Sequence, residues 1–293
     1  MSTHARILLT LALVLTVVPA VQAQDYEFHQ LPVPGPIVVV QDVNNAGLVA
    51  GWQFFPPFEA TAWVSDIDTF STFQLPGTTV TIFNGINESG VLSGHFVDGT
   101  GSHGFLLNKQ GDTTVVDFPG SEGGSWSFDV NNNGTMTGLY CENPVTFCAE
   151  EPVRGYTRNS RGVFSTIDFP GAFVTVPFGN NERGHVVGFY ADDLGEHGFL
   201  WSKKGGFTTI DFPGAVFTEA LGINARGDIV GDYVDSDGML HGFVRLKSGE
   251  FITIDYPGAA GTYVAGINDR GDLAGAFVDP DTFEELGFFA NKN

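Results

Sequence analysis

The chain has 293 residues, with 34 Asp and Glu against 13 Lys and Arg, and a formal net charge of −21. That balance repels nucleic acid and anionic lipid and leaves basic partners and divalent cations as compatible company. The length accommodates one large β domain or two small domains, with enough chain for a sizeable core.

The first 23 residues read as a secretory signal peptide. His4 and Arg6 form a short basic start, Ile7 to Val18 is an apolar run, and Val21-Gln22-Ala23 supplies small residues before a cleavage point at Gln24. The run is too short for a spanning helix, which needs about 20 residues. No other stretch is long and apolar enough to insert in a membrane. The expected mature protein is residues 24–293, secreted to the periplasm or the extracellular space. Loss of Arg6 with the leader moves the formal charge from −21 to −22.

Two signatures then alternate six times. The first is a β-like run closed by Pro-Gly, at Pro34, Pro76, Pro119, Pro170, Pro213 and Pro257. The second is an Asn followed three residues later by Gly, at Asn44, Asn87, Asn131, Asn181, Asn224 and Asn268, with spacings of 43, 44, 50, 43 and 44. Runs rich in Val, Ile, Phe, Tyr and Thr, broken every 8 to 12 residues by Gly or Pro, exclude a helical array. In the fifth copy the expected strands are Thr218 to Asn224, Asp228 to Val234, Leu240 to Leu246 and Phe251 to Tyr256, joined by Gly-containing turns.

The last repeat has strands at Tyr263 to Ile267, Leu273 to Val278 and Leu286 to Ala290 and lacks a fourth. Tyr26 to Pro34 is a fourth strand without a first three. Pairing the two ends predicts one domain over residues 24–293, an all-β six-bladed β-propeller of four-stranded antiparallel blades. With the Asn-ending strand innermost, the Pro-Gly connections and the loops between second and third strands share one face, the top.

Cys141 and Cys148 lie in the one oversized repeat, in a top-face loop between Tyr140 and Gly155. Two cysteines behind an export signal predict a disulfide between them.

The repeats resemble a bacterial family named for its HAF motif, the "probable extracellular repeat" proteins. The resemblance is carried by Gly-Ile-Asn-x-x-Gly at Gly222 and Gly266, Val-Gly-x-Tyr at Val187 and Val230, and His-Gly-Phe at His103, His197 and His241. It implies export and a repeat fold, and supplies no reaction and no catalytic residues. The first repeat departs from it, with Thr61-Ala62-Trp63 in place of His-Gly-Phe.

Most acidic and histidine motifs recur with the repeat and read as structural. Asp117, Asp168, Asp211 and Asp255 precede Phe/Tyr-Pro-Gly, and a catalytic group is usually unique. Asp235-Ser236-Asp237-Gly238 has the look of a calcium-loop fragment, but a short hairpin supplies two or three of the six to eight oxygens calcium requires. Arg-Gly-Asp, at Arg226 and Arg270, falls in the repeated turn. No metal site and no cofactor is implied.

The departures are more informative. Five residues before each turn Asn the innermost strand carries Val39, Ile82, Trp126, Val176, Glu219 and Tyr263. Trp126, Glu219 and Tyr263 break an aliphatic position near the top mouth, and two aromatics with a carboxylate suit a carbohydrate. No nucleophile elbow, zinc-protease motif or phosphate loop is present. The expected function is a non-catalytic extracellular binding or scaffold module, a monomer, for a glycan or a surface protein. The alternative is a secreted hydrolase or lyase that acts on a carbohydrate with acids in the central funnel.

Overall fold

The computed structural model describes residues 25–35, 37–56, 59–121, 124–141 and 153–293. The leader and Cys148 lie outside the described residues. Every described element is a strand apart from turns and one short helical turn, and the strands number twenty-four.

Strand β1 (Tyr26–Gln30) stands first. The next four are β2 (Val38–Val43), β3 (Val49–Phe55), β4 (Glu59–Ser65) and β5 (Phe70–Phe73). Then come β6 (Val80–Ile86), β7 (Leu92–Asp98), β8 (Gly101–Leu107) and β9 (Thr113–Val116). The third group is β10 (Gly124–Val130), β11 (Met136–Cys141), β12 (Arg154–Arg158) and β13 (Phe164–Ile167). The fourth is β14 (Val174–Asn180), β15 (His185–Asp192), β16 (Gly195–Ser202) and β17 (Gly206–Ile210). The fifth is β18 (Phe217–Ile223), β19 (Ile229–Val234), β20 (Leu240–Arg245) and β21 (Phe251–Ile254). The chain closes with β22 (Gly261–Ile267), β23 (Leu273–Val278) and β24 (Glu285–Lys292).

Each group is an antiparallel meander in chain order. The first two are joined by a single parallel bridge, Ala60 to Val80. The last three strands take β1 as their fourth, antiparallel to β24 from Tyr26 opposite Lys292 to Gln30 opposite Phe288. The first strand of each group touches that of the next, and β22 touches β2. All six of these strands line one narrow axial cavity of about 40 Å³.

The repeated residues explain why the chain takes this form. The Phe of His-Gly-Phe is the core of its unit: Phe105, Phe199 and Phe243 are fully buried, as is Phe288 of Leu-Gly-Phe in the last unit. Trp63 and Tyr156 fill that place in the first and third units, also fully buried. The Gly of Val-Gly-x-Tyr lets this ring lie flat against the second strand. A Cβ at Gly231 would sit 1.9 Å from the Glu219 carbonyl oxygen and 3.0 Å from the Phe243 ring. The aromatic of each Phe/Tyr-Pro-Gly stacks on the aromatic two residues beyond the second-strand Gly of the next unit. Phe118 lies 3.7 Å from Tyr140, Phe169 3.5 Å from Tyr190, and Phe212 3.7 Å from Tyr233.

The turn Asn holds both its own unit and the next. Asn224 Oδ1 accepts from the backbone N–H of Gly227 and Asp228, each at 3.0 Å, as an Asx turn does. Its Nδ2 donates to the Asn268 carbonyl at 3.2 Å. The same bond runs from Asn44 to Asn87, Asn87 to Asn131, Asn131 to Asn181, Asn181 to Asn224 and, from the last unit to the first, Asn268 to Asn44. Six amides thus form a circuit that returns to its origin.

Candidate functional site

Against this uniform frame the top end of the inner strands varies. The residue five before each turn Asn lies opposite the x of Gly-x-Tyr on the second strand. The six cross-strand pairs are Val39 with Trp52, Ile82 with His95, Trp126 with Leu139, Val176 with Phe189, Glu219 with Asp232, and Tyr263 with Ala276. In each unit, strand alternation puts both side chains of the pair on the same face of the sheet.

One side of this mouth is apolar. Trp126, His95, Leu139, Phe128 and Val153 line a cavity of about 310 Å³ between the second and third units. The Trp126 and His95 rings meet edge to face, 6.1 Å between centroids at 78°. Burial pushes the His95 imidazole down to about 3, so it is neutral at any physiological pH. Its Nδ1 accepts from Asn84 Nδ2 at 3.0 Å, and the same amide donates to the Ser127 carbonyl at 2.8 Å. The proton therefore sits on Nε2, which has no described partner. A wide indole, two aliphatic walls and one N–H donor can stack a flat apolar face and bond one hydroxyl at its rim.

The other side is acidic. Burial and the neighbouring Glu196 raise the Glu219 carboxyl to about 7. Asp232, with 7% of its surface exposed, is held well above the ordinary carboxylate range by burial and by Glu219. Tyr263 donates its hydroxyl to Glu285 Oε1 at 2.9 Å and accepts from the Val40 N–H at 3.4 Å. Of the three residues singled out from sequence, Glu219 and Tyr263 share this corner through Asp232, while Trp126 belongs to the apolar corner.

His95 and Asp232 were missed by sequence reasoning, although a signal was present. The x of Gly-x-Tyr reads Trp52, His95, Leu139, Phe189, Asp232 and Ala276, the most varied position in an otherwise repetitive strand.

Lower in the axis, Asp42 and Asp129 stand where the other units have Gly85, Gly179, Gly222 and Gly266. Asp42 Oδ2 accepts from the Ile86 N–H at 2.9 Å, and Asp129 Oδ2 from the Asn180 N–H at 2.7 Å. Burial raises both, Asp129 to about 6. These carboxyls are fastened to the backbone of the following unit and act as struts.

The recurrent His and Asp residues bond one another. His103 Nδ1 meets Asp117 at 2.9 Å, His197 meets Asp211 at 3.1 Å, and His241 meets Asp255 at 2.9 Å. In the Arg-Gly-Asp turns Arg226 pairs with Asp228 at 3.0 Å, and Arg270 with Asp272 at 2.7 Å. Both aspartates are buried. Asp235 spends one oxygen on the N–H groups of Asp237 and Met239. Among the described residues no group of three or more His, Cys, Asp or Glu is placed to hold a metal. Cys141 ends β11, and the expected disulfide depends on Cys148, outside the described residues.

No family model and no curated protein matches the sequence. Solved structures do match in fold. TolB from Acinetobacter baumannii superposes with a TM-score of 0.60 at 11% identity, over 89% of this chain and 66% of that one. A catalytically inactive variant of virginiamycin B lyase from Staphylococcus aureus, solved with quinupristin, gives 0.50 at 12% identity, over 89% and 88%. A lectin from Aleuria aurantia, solved with Fucα1-6GlcNAc, gives 0.50 at 9% identity, over 84% and 89%. These neighbours are β-propellers, and at such identities the likeness is one of fold. The chain is an all-β repeat protein of the β-propeller type.

Proposed function

We propose that the chain is a secreted six-bladed propeller, closed by β1, that binds a glycan at its top mouth without transforming it. The observation that carries this reading is the cavity of about 310 Å³ walled by Trp126 and His95. An indole face with a fixed, uncharged N–H donor beside it suits the C–H face and rim hydroxyls of a sugar. The Asn circuit and the β1–β24 pairing support closure. A lectin among the fold neighbours makes the ligand class plausible on this scaffold, though a fold hosts many functions.

The test is thermal unfolding of the protein with a panel of soluble glycans. A ligand that binds only the folded state raises Tm, by about 2.7 kcal/mol of stability at a hundredfold excess over Kd. We expect one glycan class to raise Tm and Trp126→Ala to abolish the shift while leaving the unliganded Tm within about 3 °C. A panel with no shift, or a shift that survives Trp126→Ala, would overturn the assignment.

A further inference from the structure

Five of the six variable pairs at the mouth are made of apolar, aromatic or hydrogen-bonded side chains. The Glu219–Asp232 pair is different. The two residues are register partners on β18 and β19, which puts their Cβ atoms about 5 Å apart. Asp232 is more than nine-tenths buried, and no hydrogen bond from a described residue reaches either carboxyl group. The titratable groups facing them are Glu196 of β16, Tyr263 of β22 and, behind it, Glu285 of β24. Among the described residues no Lys or Arg acts on either carboxyl.

Setting two acids side by side, Asp232 buried and Glu219 partly so, with no donor from a described residue is costly, and the local fold does not ask for it. The same two positions carry Val176 with Phe189 and Tyr263 with Ala276 in other units, and the flanking Gly231 and Tyr233 already supply the packing. A compact cation with several N–H groups complements such a pair in charge and in hydrogen bonding. A protonated primary amine has three. A divalent metal fits less well, because calcium takes six to eight oxygens and no described trio of ligands gathers here.

We propose that Glu219 and Asp232 hold the protonated primary amine of a small ligand at the acidic side of the mouth. This site is independent of the Trp126 cavity and stands or falls separately. The amine enters as R–NH3+, the carboxyls engage it as carboxylates, and the proton held by the free pair passes to solvent. Because Glu219 titrates at about 7, binding weakens as pH falls and the pair takes its proton back.

The experiment is calorimetric titration of the full chain with glucosamine and with 1,4-diaminobutane, at about pH 8 and about pH 5, with N-acetylglucosamine and calcium as comparisons. Binding of at least one amine at about pH 8, weakened about tenfold or more at about pH 5, is the expected result. N-acetylglucosamine, which has no charge to place, should not compete. Glucosamine alone would assign an amino sugar, and both amines an alkylammonium group in general. Glu219→Gln and Asp232→Asn should each weaken binding about tenfold or more with Tm unchanged or raised. If either variant does not fold, the pH dependence of the parent protein is the deciding measurement. The proposal is overturned if neither amine binds at about pH 8, if affinity is equal at the two pH values, if folded Glu219→Gln binds as tightly as the parent, or if calcium alone binds.

Discussion

The two ends of the inner strands follow opposite rules. At the bottom every unit carries the same Asn, making the same bonds to its own turn and to its neighbour. At the top, a few residues along the same strands, no two units carry the same pair, and the set runs from the apolar corner of Trp126 and His95 to the acidic one of Glu219 and Asp232. Repetition marks what the fold needs from each unit, and departure marks what only one unit does. A buried group that repeats is part of the frame. One that appears once, and is costly where it stands, is a candidate for chemistry.

The comparison breaks most readily at the bottom. Asn224→Ala removes two backbone-directed acceptor bonds and the donor to Asn268, and should cost about 4 kcal/mol. Tm should then fall by roughly 10 °C, read by calorimetry, and a loss under about 1 kcal/mol would show that the circuit is ornamental. At the top the sign reverses. Glu219 is raised in the fold, so the folded state binds more protons than the unfolded chain. Its burden on stability is absent below the unfolded value near 4.5, grows as pH rises, and is complete above about 7. Glu219→Gln should therefore raise stability by at most about 3 kcal/mol at pH 8 and by little at pH 4. Denaturant melts at the two pH values check this, and a loss of stability at pH 8 would show that the acid supports the fold. Least affected should be the outer pairs: Asp211→Asn breaks a half-exposed contact with His197 and should cost under about 1 kcal/mol by the same melts.

Most of the fold was legible because it is written six times. The strand expected from Leu273 to Val278 is observed with those bounds, and those of the fifth unit begin or end within two residues of expectation. The early end of β21 at Ile254 has a plain cause: the Tyr256 N–H is taken by Thr262 Oγ1 at 3.0 Å, which turns the chain out of the sheet toward Pro257. The site was half legible. Trp126, Glu219 and Tyr263 stand out along one strand, but a pair across two strands is visible only when the register is known. His95 and Asp232 lie inside a consensus whose fixed Gly and usually aromatic last residue draw the eye from the residue between them. Nor does sequence show that Glu219 has a carboxylate for its nearest partner where a cation would be ordinary.

The pairing of β1 with β24 sets an order of events. Tyr26 meets Lys292, and the backbone of Asn293 donates to Asp25 at 2.8 Å, so the first described strand finds its partner only in the last. Each meander can form locally and early, since its hairpins join near neighbours in the chain. The sixth cannot be completed until β24 has followed the five other groups, and contacts of such long separation form slowly. Until then β1 is a strand without its partner, and β24, once made, presents an open edge until β1 docks, the surface on which strands of other molecules add. The chain is thus most exposed to misassembly in its last moments of folding, and the five residues Tyr26–Gln30 are its latch.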